Sequence, residues 1–245
     1  MADTPIVNAG LKYINGLTLS RTDDEIVAIA AGDCRDSTNV NDITVDDALA
    51  VSNIVSGVNG LDTGTVAADT FYAVYVIADS TKYKTTAGIL SLDVDSPLLP
   101  FGYDMFRRVG YVKTDGTSDF LEFRQRGVGS DRWMWYDVAI ATDITAGSSA
   151  TFAAVDLVDG VPNLAAAGEV NMLSQFDPTA AEDTLELRPG SSSAAAGYAR
   201  MSGAVADKLE TANLVLPYDI TTGIDYKVTG DSVALSVAAY LDQLA

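Results

Sequence analysis

Residues 71–126 limit what this chain can become more than any other stretch. The run begins FYAVYVIADS, crosses a passage punctuated by Pro and Gly, and continues MFRRVGYVKTDGTSDFLEFRQRG. β-Branched and aromatic residues dominate both ladders, and such side chains suit a pleated, half-buried surface. Asp115-Gly116 sits between alternating apolar runs, which predicts a hairpin there. Pro100 fixes φ and Gly102 permits a turn just before the second ladder opens. Arg107 and Arg108 are consecutive in that ladder, so strand geometry predicts them on opposite faces.

The rest of the chain follows the same rhythm. Short strands are predicted over 11–14, 17–19 and 26–30, then over 133–140, 170–176, 184–187, 197–202, 212–216 and 225–228. The segment VALSVAAYLDQL alternates at Val233, Leu235, Val237 and Ala239 and is read as a strand over 233–241. One short helix is predicted over 46–57. Leu49, Ile54 and Val55 recur at helical intervals, Asp46-Asp47 opens the segment, and Gly57 follows it. Residues 127–131, with two glycines among polar neighbours, read as a hinge; beyond them Ala, Ser and Thr become frequent. The expected fold is all-β: two β-sandwich or jelly-roll-like modules with one short helix, spanning residues 1–128 and 133–245.

Charge sharpens the functional reading. The net charge is −19, with 34 acidic against 15 basic residues. Such a chain repels phosphate backbones and anionic membrane surfaces, so neither nucleic acid nor membrane is an expected partner. The cations gather. Between residues 82 and 132 eight basic side chains meet seven carboxylates, leaving +1 there and −20 elsewhere. Arg107 and Arg108 are therefore candidate interface residues for an acidic partner; the competing reading is an ordinarily mixed strand surface beside acidic loops. Trp133 and Trp135 are the other candidates, because alternation puts both on one strand face and Trp is enriched at binding hot spots. The competing reading makes that pair an apolar junction between the two halves.

The chemistry available is narrow. The chain contains no histidine, which removes Ser-His-Asp and Cys-His mechanisms and the commonest general base. Cys34 is the single cysteine; Asp33 and Asp36 flank it and disfavour a thiolate, so a structural role is expected. Carboxylate pairs abound without one being singled out for glycoside hydrolysis. Asp115–Asp119 lacks the ligand alternation of a calcium loop, and no phosphate-cradling glycine motif occurs. No enzymatic activity, cofactor or metal is expected. The N-terminus shows no secretory pattern and no run is long and apolar enough to span a bilayer. Synthesis in a cytoplasm is the expected origin.

Several motifs carry a resemblance. Tyr13-Ile14-Asn15-Gly16-Leu17 is followed by Ala30-Ala31-Gly32-Asp33-Cys34-Arg35-Asp36 and by Gly60-Leu61-Asp62-Thr63-Gly64-Thr65. Pro100-Phe101-Gly102-Tyr103, Phe106-Arg107-Arg108-Val109-Gly110, Thr114-Asp115-Gly116 and Phe120-Leu121-Glu122-Phe123 complete the first half. Leu187-Arg188-Pro189-Gly190, Met201-Ser202-Gly203 and Tyr226-Lys227-Val228 mark the second. Together they resemble structural proteins of tailed-bacteriophage particles, of the head-fibre, capsid-decoration and tail-fibre kind. The resemblance implies a non-enzymatic virion protein on the capsid exterior, assembled as a homo-oligomer, a homotrimer, and bound to the major capsid protein or other virion proteins. The alternative it leaves open is a small tail-fibre or receptor-binding protein adhering to host surface glycans.

Overall fold

The computed structural model describes residues 12–137, 142–155, 157, 159–162, 168–190, 192–195, 197–218, 222–230 and 232–244. These divide into two compact units. The first takes residues up to Leu121, with Gln125–Arg132 and Leu244. The second takes Glu122–Arg124 and Trp133–Gln243.

In the first unit the strands are β1 (Ile14–Gly16), β2 (Leu19–Arg21), β3 (Ile26–Ile29), β4 (Gly32–Arg35), β5 (Asp42–Val45) and β6 (Leu49–Ser52). β7 (Gly60–Leu61), β8 (Phe71–Ala78), β9 (Ala87–Ser91) and β10 (Met105–Lys113) follow. β11 (Phe123–Val128) and β12 (Asp131–Tyr136) carry the chain between the units. The second unit adds β13 (Thr142–Gly147), β14 (Ala153–Val155), β15 (Gly168–Asp177), β16 (Thr184–Pro189), β17 (Ala199–Ser202), β18 (Glu210–Tyr218), β19 (Ile224–Val228) and β20 (Ser232–Gln243).

The sheets are open. In the first unit β1-β4-β5 and β10-β8-β9-β7 form two of them, and β11-β2-β3-β6 lie side by side. In the second, β14-β19-β16-β17 is one sheet, β18-β15-β20-β12 run in order, and β13 also pairs with β20. None closes into the expected sandwich or jelly-roll module. The chain is all-β through several unclosed sheets, and among the described residues there is no helix.

The expected helix over 46–57 is a strand and a turn instead. β6 pairs with β3 from Ile26↔Ser52 to Ile29↔Leu49, which buries Val51 and leaves Ile54 and Val55 exposed. A helix needs Leu49, Ile54 and Val55 on one covered face, and that face does not exist. Asn53 completes the turn: its N–H donates to the Glu25 carbonyl and its Nδ2 to the Ser118 carbonyl. So short a helix is marginal without packing, and these tertiary bonds decide against it.

β8 is covered on both faces, as its unbroken run of aromatic and β-branched residues suggests. It pairs antiparallel with β10 on one side and β9 on the other. The residues after Asp115-Gly116 do not continue as β10's partner, as the hairpin reading expected. The turn itself closes through the Thr114↔Phe120 bridge and main-chain bonds from Asp115 N–H to the Asp119 carbonyl and from Leu121 N–H to the Lys113 carbonyl, after which the chain leaves β10 and β11 lies beside β2. Gly88 in β9 has no room for a side chain, since a Cβ there would strike the Val51 side chain at 2.2 Å. The hinge reading of 127–131 also changes: these residues are the ends of β11 and β12 and the turn between them, and a Cβ on Gly127 would strike the Asp131 carbonyl at 2.1 Å. The last segment is a strand, β20, running Ser232–Gln243. Residue 11 and residues 138–140, parts of two predicted strands, lie outside the described residues.

Candidate functional site

Three places in the fold gather chemistry: a buried arginine framework, a charged cleft in the first unit, and an exposed strand edge in the second.

Arg107 points inward from β10 and is 3% exposed. Its Nη2 donates to the Leu244 carbonyl at 2.6 Å and more weakly to that of Lys12 at 3.4 Å. Burial pulls its pKa down, and Cys34, lying close by, opposes that shift. Arg108 emerges on the other face, as strand alternation requires, and its guanidinium sits 4.5 Å from the Tyr111 ring centre. A bulge between Arg108 and Gly110 makes this contact, because one extra residue brings position i+3 onto the face of i. Of the eight cations expected to form a basic interface over 82–132, three are internal, whereas Lys82, Lys84, Arg124 and Arg126 are exposed and Arg108 is half-buried. Arg107, Lys113 and Arg132 are all buried and cannot meet an outside partner.

Arg132 is the best-held cation. It is 1% exposed, and its guanidinium donates to the carbonyls of Gly129 (3.0 Å), Leu17 (3.2 Å) and Gly16 (2.6 Å), and to Gln125 Oε1 (3.1 Å). Gln125 Oε1 also accepts the Leu19 N–H, while its Nε2 donates to the Val109 carbonyl. One guanidinium and one amide thus tie the turns at Gly16 and Gly129 to β2, β10 and β11. A charge taken from water demands such saturation. Sequence reading missed this pair; the only trace was a Gln and an Arg amid turn glycines.

Trp133 and Trp135 lie on one face of β12 as alternation predicts, with ring centres 5.9 Å apart. Both are half-buried, while Met134 and Tyr136 on the opposite face are buried. Cys34 is fully covered, and burial pushes its thiol up to about 12, far from any reactive range.

The cleft encloses about 470 Å³ beside β5 and the β8–β9 loop. Asp42, Thr44, Asp46 and Asp47 line one side, and Lys82, Lys84, Thr85 and Thr86 the other. Asp79 organises the loop. Its carboxylate accepts the N–H groups of Thr81, Tyr83 and Lys84 and the Thr81 hydroxyl, which together hold its pKa below the ordinary value. Beside the loop, Lys84 Nζ lies 6.0 Å from the Phe101 ring centre and 5.3 Å from that of Tyr103. Tyr83 and Phe101 stay 92% and 97% exposed.

In the second unit, β18 is an edge strand that pairs, among the described residues, with β15 alone. Thr211, Asn213, Val215 and Pro217 on it are exposed. Tyr198, Val205 and Leu209 are exposed nearby in the chain. No family model, curated protein or solved structure matches the chain.

Proposed function

We propose that this chain is a non-enzymatic structural protein of a tailed-phage particle, mounted on the capsid exterior as a homo-oligomer, with the major capsid protein as its other partner. The observation that carries the oligomer is the β18 edge. An edge strand offers unpaired N–H and C=O groups, and natural monomers blunt such edges with charge, Pro, bulges or cover. β18 pairs with β15 through nine consecutive residues without a register shift; Pro217 blunts its last residues, while Thr211, Asn213 and Val215, exposed along it, carry no charge. Across residues 198–218 two cations meet two carboxylates, so this is a neutral surface on a chain of net charge −19. Another copy of the chain is the occupant such a surface suits. A closed ring covers every copy's edge, whereas an open chain of contacts grows into fibres.

The place on the particle rests on the sequence resemblance. A capsid lattice suits a modest contact repeated many times, since an oligomer engaging several sites gains avidity without strong single contacts. The acidic remainder of the chain keeps neighbouring particles apart in solution. Imaging gold-labelled copies on intact phage particles tests the placement. The expected result is label spread over the shell; label clustered at the tail tip, or absent from particles, contradicts it.

A further inference from the structure

We propose that Arg107 and Leu244 form a latch in the first unit, which releases before the rest of that unit unfolds and uncovers Cys34 when it does. Leu244 follows β20 in the chain, yet it belongs to the first unit and is 1% exposed there. Two main-chain bonds seat it. Its N–H donates to the Ser130 carbonyl at 2.8 Å, and its carbonyl accepts from Arg107 Nη2 at 2.6 Å. No ladder holds it, since β20 ends at Gln243. The strands of the first unit all come from residues before Leu121 and from Gln125–Arg132, so they keep their pairing when Leu244 leaves.

The catch itself is poorly satisfied. Arg107 is buried, and its Nε has no hydrogen-bond partner among the described residues. Besides the Leu244 carbonyl, its guanidinium reaches the Lys12 carbonyl through a long 3.4 Å bond. Arg132, buried as deeply, donates to the carbonyls of Gly129, Leu17 and Gly16 and to Gln125. A buried guanidinium with donors to spare is destabilising, because water would satisfy them. Burial of the Leu244 side chain opposes that penalty. Release hydrates the guanidinium and exposes one leucine, so the two terms offset each other and the opening is local, far smaller than unfolding. Cys34 reports it. Ser37 N–H donates to the Phe106 carbonyl at 2.8 Å, which brings the end of β4 onto β10 next to Arg107. The thiol and the guanidinium are close enough for each to shift the other's proton affinity. Water that reaches the guanidinium therefore reaches the space beside the thiol, which is a probe of the latch and not a reactive group.

The test is the rate at which a thiol reagent labels Cys34 in the full chain at pH 8, followed through increasing urea beside the circular dichroism of the same samples. Leu244→Ala should label about 10- to 100-fold faster than the parent, the population shift expected from losing one buried leucine side chain. That rate should hardly change with urea until the strand signal is lost, because local release exposes little surface. Val51→Ala, a truncation at a fully buried site on β6 of the same unit, should label only as its own unfolding transition is approached. A chain ending at Gln243 should keep its strand signal and label at least as fast as Leu244→Ala. Labelling of Leu244→Ala that climbs with urea in step with unfolding, as in Val51→Ala, would overturn the latch, and so would a rate equal to the parent's. Loss of the strand signal in the shortened chain would overturn it too, since Leu244 would then be ordinary core.

Discussion

Arg107 and Arg132 show how differently one residue type behaves once its surroundings are known. Arg107 donates to main-chain carbonyls inside the first unit, and Arg132 to main-chain carbonyls there and to Gln125 Oε1. Removing one such group leaves buried carbonyls unsatisfied, so Arg132→Ala should cost about 1–3 kcal/mol in urea unfolding. Arg107→Glu should cost more, about 3–5 kcal/mol, because it buries an unpaired carboxylate against the Leu244 carbonyl. Unchanged stability in Arg107→Glu together with weakened particle attachment would instead make Arg107 a docking residue. Cys34 gives a second prediction at this scale. With its thiol pushed up to about 12 and fully covered, it should ignore a thiol reagent at pH 8 and react once urea unfolds the chain. Fast labelling of the folded protein contradicts that.

At the scale of elements, the β8–β9 loop depends on one carboxylate. Asp79 is held below its ordinary value of 3.8, first by the Thr81 hydroxyl and then by main-chain N–H groups. A depressed folded pKa means the contribution is complete above the unfolded value and is lost as pH falls through the folded one. Asp79→Ala should therefore lower Tm at pH 7, and the gap from the parent should begin to narrow only as pH falls below about 4. A gap that persists at pH 2 contradicts the assignment. Strands were legible wherever β-branched and aromatic residues ran together, as in β8, or alternated, as in β20. The helix over 46–57 was misread because spacing alone cannot report that Asn53 bonds to Glu25 and Ser118, distant in the chain. The Asp115-Gly116 turn was legible but its partner strand was not, since pairing of β10 with β8 is a long-range choice. The cleft was invisible for the same reason: β5 and residues 79–86 meet only in the fold. Of the named candidates, the opposite facing of Arg107 and Arg108 and the shared face of the two tryptophans follow from alternation, whereas burial of Arg107 does not.

For the whole molecule, the proposed assembly rests on the neutral edge of the second unit. Val215→Lys, which sets a cation on the outward side of β18, should dissociate the oligomer while leaving the thermal unfolding of the isolated chain within about 0.5 kcal/mol of the parent, as for an ordinary surface change. Raising salt should not dissociate the parent, because main-chain pairing is not screened as surface ion pairs are. A three-fold ring is heterologous, so β18 of one copy faces a different surface of the next. The most direct measurement is light scattering of the purified chain at micromolar concentration. The account predicts a mass near three times the 25.7 kDa of one chain, unchanged by salt; a mass of one chain would contradict it.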